Sequence, residues 1–285
     1  MKVLPFEISK PIDVNLLVQE DKAVSFFDKL HQHQEIQISF IVKGSGKLIV
    51  GDSVHTYSAG EIFVIGSQVP HLFQSTPSKE QSHMITLFFT ANSFGRDFFN
   101  IPDLEQLKSF FEAANKSFKV ATSGAAIKEL LLKIPLKDKL NRFILFLKLL
   151  ELIGRSKIIT LTEFVHPKAL NSNEGKRLQD VFDYVTKNFQ ADINLTTVAN
   201  VAYMTPNAFC RFFKQRTDKS FFQFLIEFRI AHSCQLLLTN KDITILEVAE
   251  ASGFKSISNF NKKFKQLKAC TPSRYRANFN KINQR

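Results

Sequence analysis

Two groups of side chains in this 285-residue chain have types and spacings that could do chemistry. The first is His31-Gln-His33-Gln-Glu35, which sets three polar side chains on one face of a candidate strand. His71, following Pro70, can approach them from another strand. Two or three imidazoles with a carboxylate can ligate Zn, Fe or Mn. The same groups can instead hydrogen-bond a small polar molecule or satisfy one another, with Phe40, Tyr57, Phe63 and Phe73 as apolar or stacking walls. The second group is Asn207, Cys210, Arg211 and Lys214, with Ser258, Asn261, Lys262 and Lys265. Asparagine pairs bidentately with adenine and arginine with guanine, while lysine meets guanine or phosphate. At helical spacing each set lies opposite a phenylalanine pair, Phe209/Phe213 or Phe260/Phe264, that should face a core.

That second group sits in an internal repeat. Leu195 to Lys214 recurs as Ile245 to Lys265: Val198-Ala199 matches Val248-Ala249, Met204 matches Phe254, and Phe213-Lys214 matches Phe264-Lys265. The offset is 50 residues up to the turn and 51 after it. Two copies of a short helix, a turn and a basic helix suggest two DNA-reading units on one chain. Ala199 and Ala249 are small where paired helices cross. Gly253 can turn left-handed cheaply, and Tyr203 holds the corresponding place in unit one. Thr205 and Ser256 can cap the following helices, and Pro206 suits a first helical position. The connecting helix, Phe221 to Leu238, spans about 27 Å at ~1.5 Å per residue. Reading helices on one DNA face stand about 34 Å apart. Unit two, with Asn261, Lys262 and Lys265, is the stronger base reader, while unit one leans on Asn207 and Arg211.

Residues 1 to about 90 read as strands. Ile36, Ile38, Phe40 and Val42 alternate, as do Leu48 and Val50, with further strands at Glu61 to Ile65 and His83 to Phe89. Gly44-Ser45-Gly46 reads as a hairpin turn and Gly51-Asp52 as another turn. Short strands with glycine turns favour a small antiparallel barrel or sandwich. From Leu104 the period becomes helical: Leu104, Leu107, Phe110 and Phe111 share one face, and Ile127, Leu130, Leu131 and Ile134 another, stopped by Pro135. Leu140 to Ile153 is a strongly apolar helix ending near Gly154, either packed on the barrel or shared with a second subunit. Leu178, Val181, Phe182, Val185 and Phe189 stripe a later helix. The expected organisation is an N-terminal all-β barrel with following helices over 1–166, a linker at 167–175, and an all-α domain over 176–285.

The chain carries a net charge of +12. From Ser172 onward there are 18 Lys/Arg against 9 Asp/Glu, and before it 20 against 17. The positive excess thus lies on the C-terminal half, which favours phosphate backbones, although a solvated lysine-rich surface has the same composition. Cys210, Cys234 and Cys270 stand far apart without metal-ligand spacing, which fits a reducing compartment. Lys2, Glu7, Lys10 and Asp13 break up the first residues, against a signal peptide. Lys148 and Glu151 interrupt the longest apolar run, so no membrane span is expected. A cytoplasmic protein without catalytic residues or a cofactor is the expectation.

The C-terminal motifs resemble a known family. Leu195…Val198-Ala199…Met204-Thr205-Pro206…Phe209…Arg211…Phe213-Lys214, Arg229-Ile230-Ala231, Ile245…Val248-Ala249…Gly253-Phe254…Phe260…Phe264-Lys265 and Thr271-Pro272…Tyr275-Arg276 look like the DNA-binding domain of arabinose-regulator (AraC/XylS) proteins, over roughly residues 175–280. The resemblance implies seven helices with two helix-turn-helix motifs, binding to double-stranded promoter DNA, and activation or repression of transcription, with RNA polymerase and a second copy of the chain as partners. It places Asn207, Cys210, Arg211, Ser258, Asn261 and Lys262 on the reading helices, flanked by Thr205, Pro206, Lys214, Ser256 and Lys265. Asp218 and Ala269 depart from it, standing where the family often has glycine.

The N-terminal pieces His31, His33, Glu35, Gly44, Gly46, Gly60-Glu61, Pro70 and His71 resemble a cupin-type sensor barrel. That implies a small effector, a sugar or other metabolite, held by His31, His33, Glu35, Phe40 and His71. A metal-binding cupin usually carries its glutamate four residues after the second histidine, and Gln37 stands there, so no metal is expected. The leading reading is an effector-controlled, sequence-specific transcriptional regulator. The alternatives are a metal-dependent cupin enzyme fused to a DNA-binding domain, and a structural DNA-binding protein without sequence preference. The sensor-like barrel speaks against the last.

Overall fold

The computed structural model describes residues 14–76, 78–121, 124–162, 172–240 and 242–282. These fall into two compact units, one within 14–51 and 57–162, the other within 52–56 and 173–282.

Nine strands occur among the described residues: β1 (Leu17–Ala23), β2 (Ile36–Lys43), β3 (Gly46–Val50), β4 (Ser53–Tyr57), β5 (Ile62–Ile65), β6 (His71–Ser75), β7 (Ser82–Phe89), β8 (Phe118–Val120) and β9 (Ile158–Thr160). They build a six-stranded sheet in the order β1-β7-β2-β5-β8-β9 and a three-stranded sheet in the order β4-β3-β6. β2 is central, pairing antiparallel with both β5 and β7. Its period-two alternation feeds two cores. Ile36, Ile38 and Phe40 enter a core shared with helices, while Ile41 enters one formed by both sheets with Leu48, Val50, Tyr57, Phe63 and Phe73.

Gly44-Ser45-Gly46 is not the hairpin expected from its glycines. β2 and β3 belong to different sheets, so this stretch carries the chain from one sheet to the other. Gly44 does so at φ +109°, where an added Cβ would lie 2.5 Å from Ser82 Oγ. Residues 31–35 are not a regular strand either. His31 is held instead by an isolated bridge to His71, with reciprocal backbone hydrogen bonds of 3.1 and 2.9 Å.

The helices backing the six-stranded sheet are α1 (Lys108–Ala114), α2 (Ala125–Lys133) and α3 (Lys139–Gly154). Leu104 and Leu107 lie in a 3-10 stretch, Pro102–Leu107, rather than an α-helix. Asp138 caps α3 by accepting from the Leu140 and Asn141 amides. α3 packs on the barrel through Phe146, Leu149, Leu150 and Ile153. Leu140 and Ile144 on the same helix remain exposed, as does the preceding Leu136.

The second unit holds α4 (Ser172–Asn188), α5 (Leu195–Val201), α6 (Pro206–Thr217), α7 (Phe221–Thr239), α8 (Ile245–Ala251), α9 (Ile257–Lys268) and α10 (Pro272–Ile282). The stripe Leu178, Val181, Phe182, Val185 and Phe189 is buried. Of the linker expected at 167–175, residues 167–171 lie outside the described residues, and 172–175 form the first turn of α4.

Candidate nucleic-acid interface and barrel site

The repeat is reproduced element by element. α5 and α8 are displaced by 50 residues and α6 and α9 by 51. Asn194 caps α5, and a Thr244–Glu247 capping box starts α8. Val198, Ala199, Val248 and Ala249 are buried where the paired helices meet. Both turns close alike: the Met204 and Phe254 amides donate to the Ala199 and Ala249 carbonyls at 2.9 and 3.0 Å. Tyr203 (φ +55°) and Gly253 (φ +81°) occupy the same left-handed position for different reasons. At Gly253 an added Cβ would come within 2.7 Å of the Phe189 carbonyl, whereas the Tyr203 side chain is 79% exposed. The extra residue of unit two is Lys255, whose Nζ lies 2.8 Å from Asp192.

α6 and α9 each start on a capped end. Thr205 accepts from the Ala208 amide ahead of Pro206, and Ser256 accepts from the Asn259 amide. Phe209 and Phe213 on α6, and Phe260 and Phe264 on α9, are buried, and Phe212 joins them. This anchoring turns Asn207, Cys210, Arg211 and Lys214 outward, and likewise Ser258, Asn261, Lys262 and Lys265. Thr205 and Ser256 are exposed and Pro206 half-buried. The left-handed helix ends fall on Asp218 (φ +53°) and Ala269 (φ +56°), neither of them glycine. Composition gave no signal for the role of Arg229. From α7 its Nε donates to the Phe189 carbonyl at 2.7 Å and an Nη to Ala191 at 2.8 Å, bracing the connector against the loop before α5.

In the barrel, His31, His33 and His71 converge, one ring nitrogen of each lying within 4.8 Å of the others. Gln37 joins them: its side-chain amide is 3.0 Å from Nε2 of both His33 and His71, and 2.8 Å from Ser39 Oγ. His33, Gln37, Ser39 and His71 are all buried. Burial pushes the His31 imidazole down to about 4 and holds His71 well below the ordinary histidine range, so both are neutral at pH 7.

Two expected members sit elsewhere. The Glu35 carboxylate lies 3.7 Å from His33 Nδ1, on the ring edge away from the Gln37 contact, while its backbone carbonyl is 3.0 Å from the same nitrogen. Phe40 faces the opposite way from Gln37 and Ser39, as strand alternation requires, and packs in the helix-backed core. Tyr57, Phe63 and Phe73 pack together in the core formed by both sheets. A divalent metal fits this donor set poorly, because the fourth position holds a neutral amide and the nearby carboxylate is turned to another ring nitrogen.

A cupin domain matches residues 23–88 and a helix-turn-helix domain residues 198–278. The probable transcriptional regulator LumQ of Photobacterium leiognathi is 24% identical over 250 residues, covering 86% of this chain and 90% of that protein. The Msm operon regulatory protein of Streptococcus mutans is 23% identical over 257 residues, covering 90% and 88%. An uncharacterized HTH-type transcriptional regulator of Staphylococcus aureus is 22% identical over 272 residues, and the chain spans 33% of its length. Among solved structures, the DNA-binding domain of AdpA in complex with a target DNA is 27% identical, with 39% of this chain and 98% of that one covered and a TM-score of 0.37. ToxT from Vibrio cholerae is 16% identical, with 92% and 97% covered and a TM-score of 0.37. With a cupin domain ahead of a helix-turn-helix domain and transcriptional regulators as relatives, the chain is similar to the AraC family of DNA-binding transcriptional regulators.

Proposed function

We propose that this regulator reads a specific promoter site with α6 and α9, and that a small polar metabolite in the barrel sets its affinity for that site. The observation carrying the reading is the doubled arrangement itself. Two capped helices bury their phenylalanines and present Asn207, Arg211 and Lys214, and Asn261, Lys262 and Lys265, to solvent. These side chains suit base edges and phosphates. The buried imidazole and amide groups beside His31 support an effector of sugar-like polarity, with residues 1–166 as the sensing part and 176–285 as the reading part. The exposed Leu136, Leu140 and Ile144 support a homodimer formed through the first unit. RNA polymerase is the further partner. No helix of the described residues is long and apolar enough to cross a membrane, which agrees with a regulator working beside DNA in the cytoplasm.

Control requires that the effector bind the two DNA-affinity states unequally. The test is fluorescence anisotropy at one fixed salt concentration, with the promoter fragment and a shuffled copy, while candidate sugars and polar metabolites are titrated. The expected result is a preference for the promoter fragment of about 10³ or more, shifted by one class of metabolite. Equal affinity for both fragments would reject sequence-specific reading. Promoter binding that no metabolite alters would reject effector control.

A further inference from the structure

The buried cluster of the barrel contains a hydrogen-bond conflict whose resolution decides what it can bind. His31 Nδ1 lies 2.8 Å from the Lys29 carbonyl, His33 Nδ1 3.0 Å from that of Glu35, and His71 Nδ1 2.8 Å from that of Val69. A carbonyl oxygen only accepts, so each Nδ1 carries a proton, and a ring with that single proton keeps its Nε2 as an acceptor. The Nε2 atoms of His33 and His71 nevertheless meet the same end of the Gln37 amide, each at 3.0 Å. With oxygen at that end, two acceptors would face a third. With nitrogen there, the conflict disappears. The NH₂ group gives one hydrogen to each imidazole, and the amide oxygen, now beside Ser39, accepts from its hydroxyl at 2.8 Å. The two ends of a glutamine amide have the same shape, and the hydrogen-bond network decides between them.

We propose that Gln37 is the selectivity residue of this site: its amide NH₂ fills the point where the His33 and His71 lone pairs converge, and so closes the three-histidine cluster to divalent transition metals. A metal entering there would have to turn the amide away, breaking two hydrogen bonds to buried rings and a third to Ser39. Gln37 is 3% exposed and Ser39 0%, so solvent does not replace those bonds. A glutamate at 37 would reverse the balance. It has no hydrogens to give, leaves both lone pairs to a cation, and adds a negative oxygen ligand. The backbone carbonyls holding each Nδ1–H already orient the rings as metal sites require. One amide-to-carboxylate change thus separates a hydrogen-bonded cluster from a three-histidine, one-carboxylate centre.

The experiment titrates the full chain and its Gln37→Glu variant with Co²⁺, following visible ligand-field absorption and the metal retained per chain after gel filtration. Gln37→Glu is expected to retain one Co²⁺ per chain and to lose it when His71→Ala is added. The unaltered chain is expected to retain no more than the His71→Ala control. Stoichiometric Co²⁺ in the unaltered chain, abolished by His71→Ala, overturns the proposal, and so does a folded Gln37→Glu that retains none. Should Gln37→Glu fail to fold, ¹⁵N spectra of the histidine rings in the unaltered chain decide. Protons on Nδ1 of His33 and His71 uphold the proposal, and protons on their Nε2 atoms defeat it.

Discussion

Asn261 and Lys262 lie side by side on the exposed face of α9, one turn before Lys265, with Phe260 and Phe264 fixing which way that face points. Replacing both Asn261 and Lys262 by alanine should weaken promoter binding by about 1–3 kcal/mol for each side chain that reads a base edge and leave binding to shuffled DNA less affected. Unchanged promoter affinity at the same salt would remove them from the reading surface. These outward side chains are legible because a helix puts neighbours three and four apart on one face, so the phenylalanine pairs alone settle the geometry. The barrel cluster is only partly legible. His31, His33 and His71 do meet, but in the sequence Gln37 reads only as a missing ligand, because its bonds to both imidazoles depend on a bridge between residues 40 apart.

Acidification should report on the same imidazoles. Burial sets His31 and His71 below their unfolded pKa of about 6.5, so the unfolded chain takes up protons that the folded chain refuses. Stability is therefore full above that pH and declines as pH falls from there toward about 4, where His31 titrates in the fold. Urea midpoints taken between neutral pH and pH ~4.5 should fall, and fall less steeply in His31→Asn. Equal slopes in the two proteins would contradict the assignment.

Helix ends show how far an element tolerates an unsuited residue. α6 and α9 both finish left-handed, one on Asp218 and the other on Ala269. Aspartate visits that region more readily than alanine does, and an exposed alanine there costs roughly 1–2 kcal/mol. Ala269→Gly should therefore raise the thermal midpoint, and Asp218→Gly should raise it less. A loss of stability in Ala269→Gly would show that its methyl packs well enough to outweigh the strain. The helices are largely legible because capping residues, prolines and apolar spacing act within a few residues of one another. The sheets are not. Gly44-Ser45-Gly46 has the composition of a hairpin, yet β2 pairs with β5 and β7 and β3 with β6, partners distant in sequence that no local pattern announces.

Across the whole chain the positive charge is concentrated where the paired helices lie, with 18 Lys/Arg against 9 Asp/Glu from Ser172 onward. Affinity for any duplex should consequently fall steeply with salt, and Lys265→Ala should lower the slope of log affinity against log salt by about one while weakening all sequences alike. A slope unchanged by Lys265→Ala would place that lysine away from phosphate.

The two helix-turn-helix units are joined by α7 within one chain and are not copies: Pro206 and Cys210 stand on α6, Ser258 and Lys262 on α9, and Lys255 lengthens only the second turn. A pair of identical readers demands a palindrome. A single chain with two unlike readers demands a site with distinguishable ends. Under the proposed mode of reading, each bound chain points along the duplex like an arrow, and reversing its site end for end should aim the same protein the other way relative to a neighbouring gene.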